Sequence, residues 1–265
     1  ILLAPQAGFG IAFPYVLLFY IFISILADSG YMTRAAFLAD NAMHRLGMHG
    51  GAVIPLTLAF GCNVPAIMSV RLLHSRRERI IGSFLATMVP CSARTVVIAG
   101  IVAAFVGIGA AFSVYAIVFV LILITGLFLS RVTPGERFGM IMEMVPLRRP
   151  DPRLVLKKAW SRLSEFLFIA MPLLLAGSVV LGLLEFFGIM TLFEQIVEPY
   201  TMALLGLPGY SATALIFGIL RKEMAFETLA ILAGTADLGS VLSSLQLYIF
   251  AIVTVLFVPC LATIT

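Results

Sequence analysis

Seven apolar runs, separated by short polar segments, limit what this chain can fold into. They lie at about 11–28, 52–70, 80–107, 111–130, 163–184, 210–233 and 241–264. A helix crosses the hydrocarbon core of a bilayer with about 20 mainly apolar residues. Charged residues are 11% of the 265-residue chain and hydrophobic ones 62%, against about 25% charged in a typical soluble domain. A soluble helical bundle with this pattern would have no polar surface. The expected fold class is therefore an all-α polytopic membrane protein with about seven membrane segments, several of them broken or short.

Several runs carry residues that do not suit a plain span. Run 52–70 contains Ala59-Phe60-Gly61-Cys62-Asn63-Val64-Pro65-Ala66, and run 80–107 contains Pro90-Cys91-Ser92-Ala93-Arg94. Run 210–233 contains Arg221-Lys222-Glu223. Gly and Pro weaken helical backbone. Backbone freed at membrane depth survives only where it is buried in protein or lines a cavity. An arginine, or three consecutive charged residues, cannot all face lipid and points to a functional interior.

The net charge of +4 comes from basic residues clustered in two loops, 71–79 and 131–162. That distribution fits cytoplasmic, positive-inside loops and not a nucleic-acid surface. With both loops inside, segment 30–50, the acidic linker 185–209 and the far ends of runs 80–107 and 111–130 fall outside, and the N-terminal side of the first run falls inside. Segment 31–50 has apolar residues at helical spacing and reads as an interfacial helix. Leu154–Leu163 reads either as an amphipathic helix on an anionic leaflet or as part of a basic loop. The chain begins and ends in apolar sequence and reads as a fragment.

Two marks recur in the same order. Phe60-Gly61 is echoed by Phe217-Gly218, and Val89-Pro90-Cys91-Ser92-Ala93 by Val258-Pro259-Cys260-Leu261-Ala262. The expected organisation is a first membrane repeat at 1–110, a connecting helix and basic loop at 111–162, and a second repeat at 163–265. If each repeat has three spans and one span connects them, the second copy returns in the same orientation, a parallel internal repeat. Interrupted segments in corresponding positions point to a transport site.

Cys62, Cys91 and Cys260 each sit beside a helix-breaking residue, an odd set in apolar sequence that does not resemble a disulfide framework. Thiolates suit Fe(II), Zn(II) or Cu(I), and amide or carbonyl oxygens would complete a labile site. The candidate metal residues are Cys62, Asn63, Cys91, Glu223 and Cys260. Glu223 reads equally as a ligand, a proton-linked group or an ion-pair partner of Arg94 or Lys222. His44, His49 and His74 lie in peripheral segments and read as interfacial. No phosphate-binding G-x-x-x-x-G-K-[ST] loop occurs, and no constellation for nucleophilic or acid–base catalysis is present.

Ile25-Leu26-Ala27-Asp28-Ser29-Gly30-Tyr31-Met32-Thr33-Arg34-Ala35-Ala36-Phe37, Phe60-Gly61-Cys62-Asn63-Val64-Pro65-Ala66-Ile67-Met68 and Cys91-Ser92-Ala93-Arg94 resemble the membrane domain of the FeoB ferrous iron transporters. Leu220-Arg221-Lys222-Glu223 and Pro259-Cys260-Leu261-Ala262-Thr263 resemble its second half. The resemblance implies two Gate regions and Fe(II) uptake as the transported substrate across a bacterial or archaeal cytoplasmic membrane. It also implies partners: membrane lipid, an N-terminal domain that binds GTP and Mg2+ outside this stretch, further copies of the chain and small accessory proteins. Cys62, Cys91 and Cys260 fall on family cysteines discussed for the iron path, and Glu223 on the acidic residue of the second half. The family often has Glu before Asp-Ser-Gly, where this chain has Ala27. A nucleoside or other small-solute transporter of similar architecture, or a membrane scaffold without transport, are the other readings.

Overall fold

In a computed structural model all regular secondary structure is helical among the residues described, which are 13–73, 75–134, 149–165, 168, 171–188, 195, 197–199, 201–203, 205–235, 238–256, 259–260 and 263. The helices are α1 (Phe13–Asp28), α2 (Tyr31–Arg45), α3 (Val53–Gly61), α4 (Asn63–Val70), α5 (Arg76–Met88), α6 (Ser92–Val97), α7 (Ile108–Val132), α8 (Pro152–Glu165), α9 (Met171–Phe186), α10 (Tyr210–Leu220), α11 (Lys222–Ala233) and α12 (Ser244–Leu256). A π-helical stretch, Ile98–Val106, continues α6.

By length and composition, two stretches among the described residues suffice to cross a membrane, Arg76–Val106 and Ile108–Val132. A third qualifies if α1 and α2, bent by 80° at their junction, count as one. At about 1.5 Å per residue, the 25 residues of α7 exceed a hydrocarbon core of about 30 Å. The chain divides into two compact units. The first comprises Leu2–Cys91 and Phe119–Met171, the second Ser92–Val118 and Pro172–Thr265.

In the first unit, α1 is apolar on all sides and stops at Asp28-Ser29-Gly30. Gly30 takes φ 80°, and the Ser29 hydroxyl donates to the Leu26 carbonyl at 2.9 Å. Helix α2 then leaves at the 80° bend, with Met32 and Ala36 buried and Tyr31, Phe37 and Leu38 exposed. The turn after it is tight. A Cβ at Gly50 would lie 2.2 Å from the Ala36 carbonyl oxygen, and the Gly50 amide donates to Asp40 Oδ1 at 2.6 Å.

Helices α3 and α4 pack against each other as a hairpin. Ala52, just before α3, and Val70, at the end of α4, are buried in one cluster with Leu46, Met48, Leu73, Ile81 and Leu85. His49 and Glu78, buried on either side of this hairpin, bond through Nδ1 and Oε1. Run 52–70 therefore folds back, with both of its ends in one cluster, and segment 30–50 meets the start of α5 through His49 and Glu78. The end of the basic loop 71–79 is set locally by Ser75-Arg76-Arg77-Glu78, where Ser75 Oγ accepts the Glu78 amide at 3.1 Å and caps α5.

Helix α8 forms where the sequence left helix and loop open. It docks on α1 and does not lie free on a leaflet. Ala159 and Leu163 are buried with Tyr20, and Lys158 Nζ and the Asp151 amide both donate to the buried Asp28 carboxylate, at 3.3 and 3.2 Å. The C-terminal end of α1 is thereby held against α8 and the residue before it.

The second unit repeats the local plan. Helices α10 and α11 pack side by side, with Ala214, Leu215, Ala225 and Leu229 in a core shared with Leu207, Leu238, Leu242 and Leu247. A Cβ at Gly218 would meet the Ala225 Cβ at 2.8 Å, so the pair closes tightly near its tip. At the open end the Gln246 side-chain amide donates to the Gly206 carbonyl at 2.7 Å. The start of α12 and the approach to α10 are thereby on one side of this hairpin.

Candidate functional site

The first hairpin turns on one residue. Cys62 is extended, with φ −150° and ψ 133°, and ends α3 while beginning α4. The cause is Pro65. In an unbroken helix its ring would clash with the carbonyl four residues back, that of Gly61. With the break at Cys62, Pro65 moves to the third position of α4, where a backbone N–H has no intrahelical partner in any case. Gly61 allows the tip to close, because the space a Cβ would need is filled by the Phe19 ring of α1, at 2.1–2.4 Å.

Asn63 follows the break and is only 3% exposed. Its Nδ2 donates to the Thr87 carbonyl at 3.4 Å. Thr87 lies in the last turn of α5, whose carbonyls lose a donor because Pro90 has no N–H. Asn63 Oδ1 is buried without a hydrogen-bond partner among the described residues. Burying an amide oxygen unpaired costs about 1–3 kcal/mol, so a structure that keeps one invites a functional explanation. Cys62 and Cys91 are outside any disulfide, and each is half-buried. The structure thus links the two motifs of the first half: the hairpin tip holds the end of the helix that leads into Pro90-Cys91.

The second hairpin breaks at Arg221, with φ −144° and ψ 125°, close to the values at Cys62. Relative to the sequence alignment of the two glycines, the break is displaced. Gly61 directly precedes Cys62, whereas Gly218 stands three residues before Arg221. Aligned on the breaks, Asn63 corresponds to Lys222, also 3% exposed, and Ala66 to Ala225, both fully buried. Glu223 pairs with Arg221, Oε1 to Nη2 at 2.5 Å, a partner the sequence reading did not choose. Arg94 is 2% exposed, as expected for an arginine within an apolar run. Cys260 is half-buried and outside any disulfide, with Sγ 3.0 Å from Thr263 Oγ1.

Among the described residues no three His, Cys, Asp or Glu side chains gather as a metal-binding group. The sequence reading missed Thr87 as the partner of Asn63, Phe19 as the wall behind Gly61, and the buried His49–Glu78 pair. Only the last had a local signal, the capping sequence that places Glu78 in the first turn of α5.

Apolar helices with two tightly closed hairpins, each broken at a single extended residue, define a helical membrane module. The Gate family, described as nucleoside recognition, matches residues 9–105 and again 167–265, and the C-terminal region of ferrous iron transport protein B matches residues 111–162. The chain belongs to the FeoB family, of which these matched regions form the Gate-containing membrane portion. The matches leave no stretch of this chain for a GTP-binding domain. The Fe(2+) transporter FeoB of Methanocaldococcus jannaschii is 32% identical over 95% of this chain and 42% of its own length. That of Staphylococcus aureus (strain COL) is 30% identical over 95% of this chain and 41% of its own. That of Legionella pneumophila is 38% identical over 64% of this chain and 23% of its own. The chain therefore spans about two fifths of the first two relatives. No solved structure matches. The apolar helices and these bacterial and archaeal relatives make it a multi-pass protein of the cytoplasmic membrane.

Proposed function

We propose that this chain forms the Fe(II) path of a FeoB-type transporter, with the cation handled at the tips of the broken hairpins. The observation that carries this reading is Asn63, which directly follows Cys62 at the extended break and whose buried Oδ1 has no hydrogen-bond partner among the described residues. An amide oxygen, a thiolate and backbone carbonyls make a mixed set suited to a borderline divalent cation. A mixed set of this kind, without several charged ligands, binds weakly enough to release its ion, as conduction requires. Cys91 is the second thiol of this half, and Cys260 and Glu223 are the corresponding candidates in the other. The names of the relatives, Fe(2+) transporters, support Fe(II) over other solutes.

Two Gate matches in one chain, each with a hairpin and a Pro-Cys helix, support repeats at 1–110 and 163–265 joined by 111–162. The parallel orientation expected from sequence counted run 52–70 as a span. With that run a hairpin, each copy contributes one crossing fewer. By the same counting the second copy is inverted, and the seven apolar runs comprise five crossings and two hairpins. Coupling to GTP and Mg2+ would come through a GTP-binding domain outside this chain, with further copies and small accessory proteins as partners.

Full-length protein in anaerobic proteoliposomes tests the reading. Asn63→Ala and Cys62→Ser should each lower Fe(II) flux about ten- to a hundredfold, the usual scale for disturbing a metal site, without loss of the folded state. Unchanged flux in both variants would remove the hairpin tip from the ion path.

A further inference from the structure

We propose that the basic face of the first unit is a binding surface for anionic phospholipid headgroups, formed by α2 and the loop leading into α5. Six arginines are exposed on the elements that meet there: Arg34 and Arg45 on α2, Arg71, Arg76 and Arg79 around the loop, and Arg131 at the end of α7. These elements share one face because His49 bonds Glu78 and the Arg77 guanidinium donates to the Ser130 carbonyl.

Three carboxylates of the described residues on this face are already engaged. Asp28 receives Lys158 and the Asp151 amide, Asp40 receives the Gly50 amide and lies 3.3 Å from His44, and Glu78 is buried against His49. None of the six arginines forms an ion pair among the described residues. Among the described residues these arginines therefore present positive charge without a paired carboxylate, which attracts anionic lipid over roughly one Debye length.

Apolar side chains decide between lipid and an acidic protein. Leu38 is 82% exposed, Leu72 79% and Phe37 55%, interleaved with Arg34, Arg45 and Arg71. Helix α2 leaves α1 at 80°, so it lies along the membrane plane when α1 runs along the normal. Basic residues with outward apolar ones on a helix in that plane suit the boundary between headgroups and acyl chains. An acidic protein surface would leave Leu38 and Leu72 unmatched.

The single tryptophan of the chain supplies the probe. Trp160 is 60% exposed and stands two residues after Lys158, which anchors α8 to Asp28. Protein reconstituted in phosphatidylcholine vesicles is titrated with brominated phosphatidylglycerol or brominated phosphatidylcholine, and quenching is read as the difference from Trp160→Phe. The expected result is a preference for phosphatidylglycerol of about threefold or more. It should fall to near one in 0.5 M salt (about) and in a variant with Arg34, Arg45, Arg71, Arg76 and Arg79 changed to Gln, and persist with the same positions changed to Lys. Equal quenching by both lipids in the unaltered protein would overturn the proposal, and so would a preference that survives both salt and the Gln changes. The first result would leave an acidic protein surface as the occupant. Neither outcome depends on whether the protein carries iron.

Discussion

Gly61→Ala should destabilise the first hairpin by about 1–3 kcal/mol, the usual cost of overpacking a filled site. A Cβ there would fall 2.1 Å from two atoms of the Phe19 ring. Phe19 cannot simply swing away, because it packs against both clusters that hold α1, one with Ile23, Leu58 and Ala59 and one with Tyr20, Ala159 and Leu163. Displacing the ring therefore disturbs the contacts of α3 and α8 together. The clash makes a specific forecast about pairs. Phe19→Ala alone leaves a cavity and costs about 3–5 kcal/mol, but Gly61→Ala added to it should cost little more. Unfolding in detergent should give a favourable coupling of about 1 kcal/mol or more. Additive losses would mean that the tip is not closed by this contact. Iron flux should fall in Gly61→Ala even where the protein stays folded, since Cys62 and Asn63 follow directly.

Side-specific labelling should place corresponding loops of the two Gate copies on opposite faces of the membrane. Leu72, exposed after α4, and Ser244, exposed at the start of α12, each follow the hairpin of their copy. With the basic loops inside, Cys substituted at Leu72 should react with an impermeant maleimide only from the cytoplasmic side, and at Ser244 only from outside. The effect is all or none, and peptide mass spectrometry separates the new cysteine from the native ones. Labelling of both positions from one side would restore the parallel arrangement and require run 52–70 to cross.

That contrast shows what the sequence could and could not convey. Pro65 and Pro90 fix where helices must stop, because each ring would clash with a carbonyl in its own run, and both breaks were legible. Whether a broken run crosses or folds back is not written in its own residues. It depends on His49 meeting Glu78 and on Ala52 and Val70 sharing a cluster, contacts between positions far apart in the chain. The same holds for α8. Its amphipathic pattern was visible, but its partner, Tyr20 on α1, was not. At the second break no proline marks the position. The charged trio announced a special segment, yet the pairing of Glu223 with Arg221 follows from the extended conformation of Arg221 itself. Asn63 stood out in the sequence only as a polar residue in a greasy run. Its unpaired Oδ1 required the fold.

Protection of Cys62 by the ion would show most directly that the hairpin tip lies on the iron path. In anaerobic vesicles holding the full-length protein, the rate of Cys62 modification by a small thiol reagent is followed by mass spectrometry as Fe(II) is added. The account predicts that Fe(II) slows modification of Cys62 in a saturable way, that Asn63→Ala weakens this protection, and that Mg(II), a hard cation that avoids thiolate, does not replace it. Modification of Cys62 at one rate with and without Fe(II), while the protein transports iron, would contradict it.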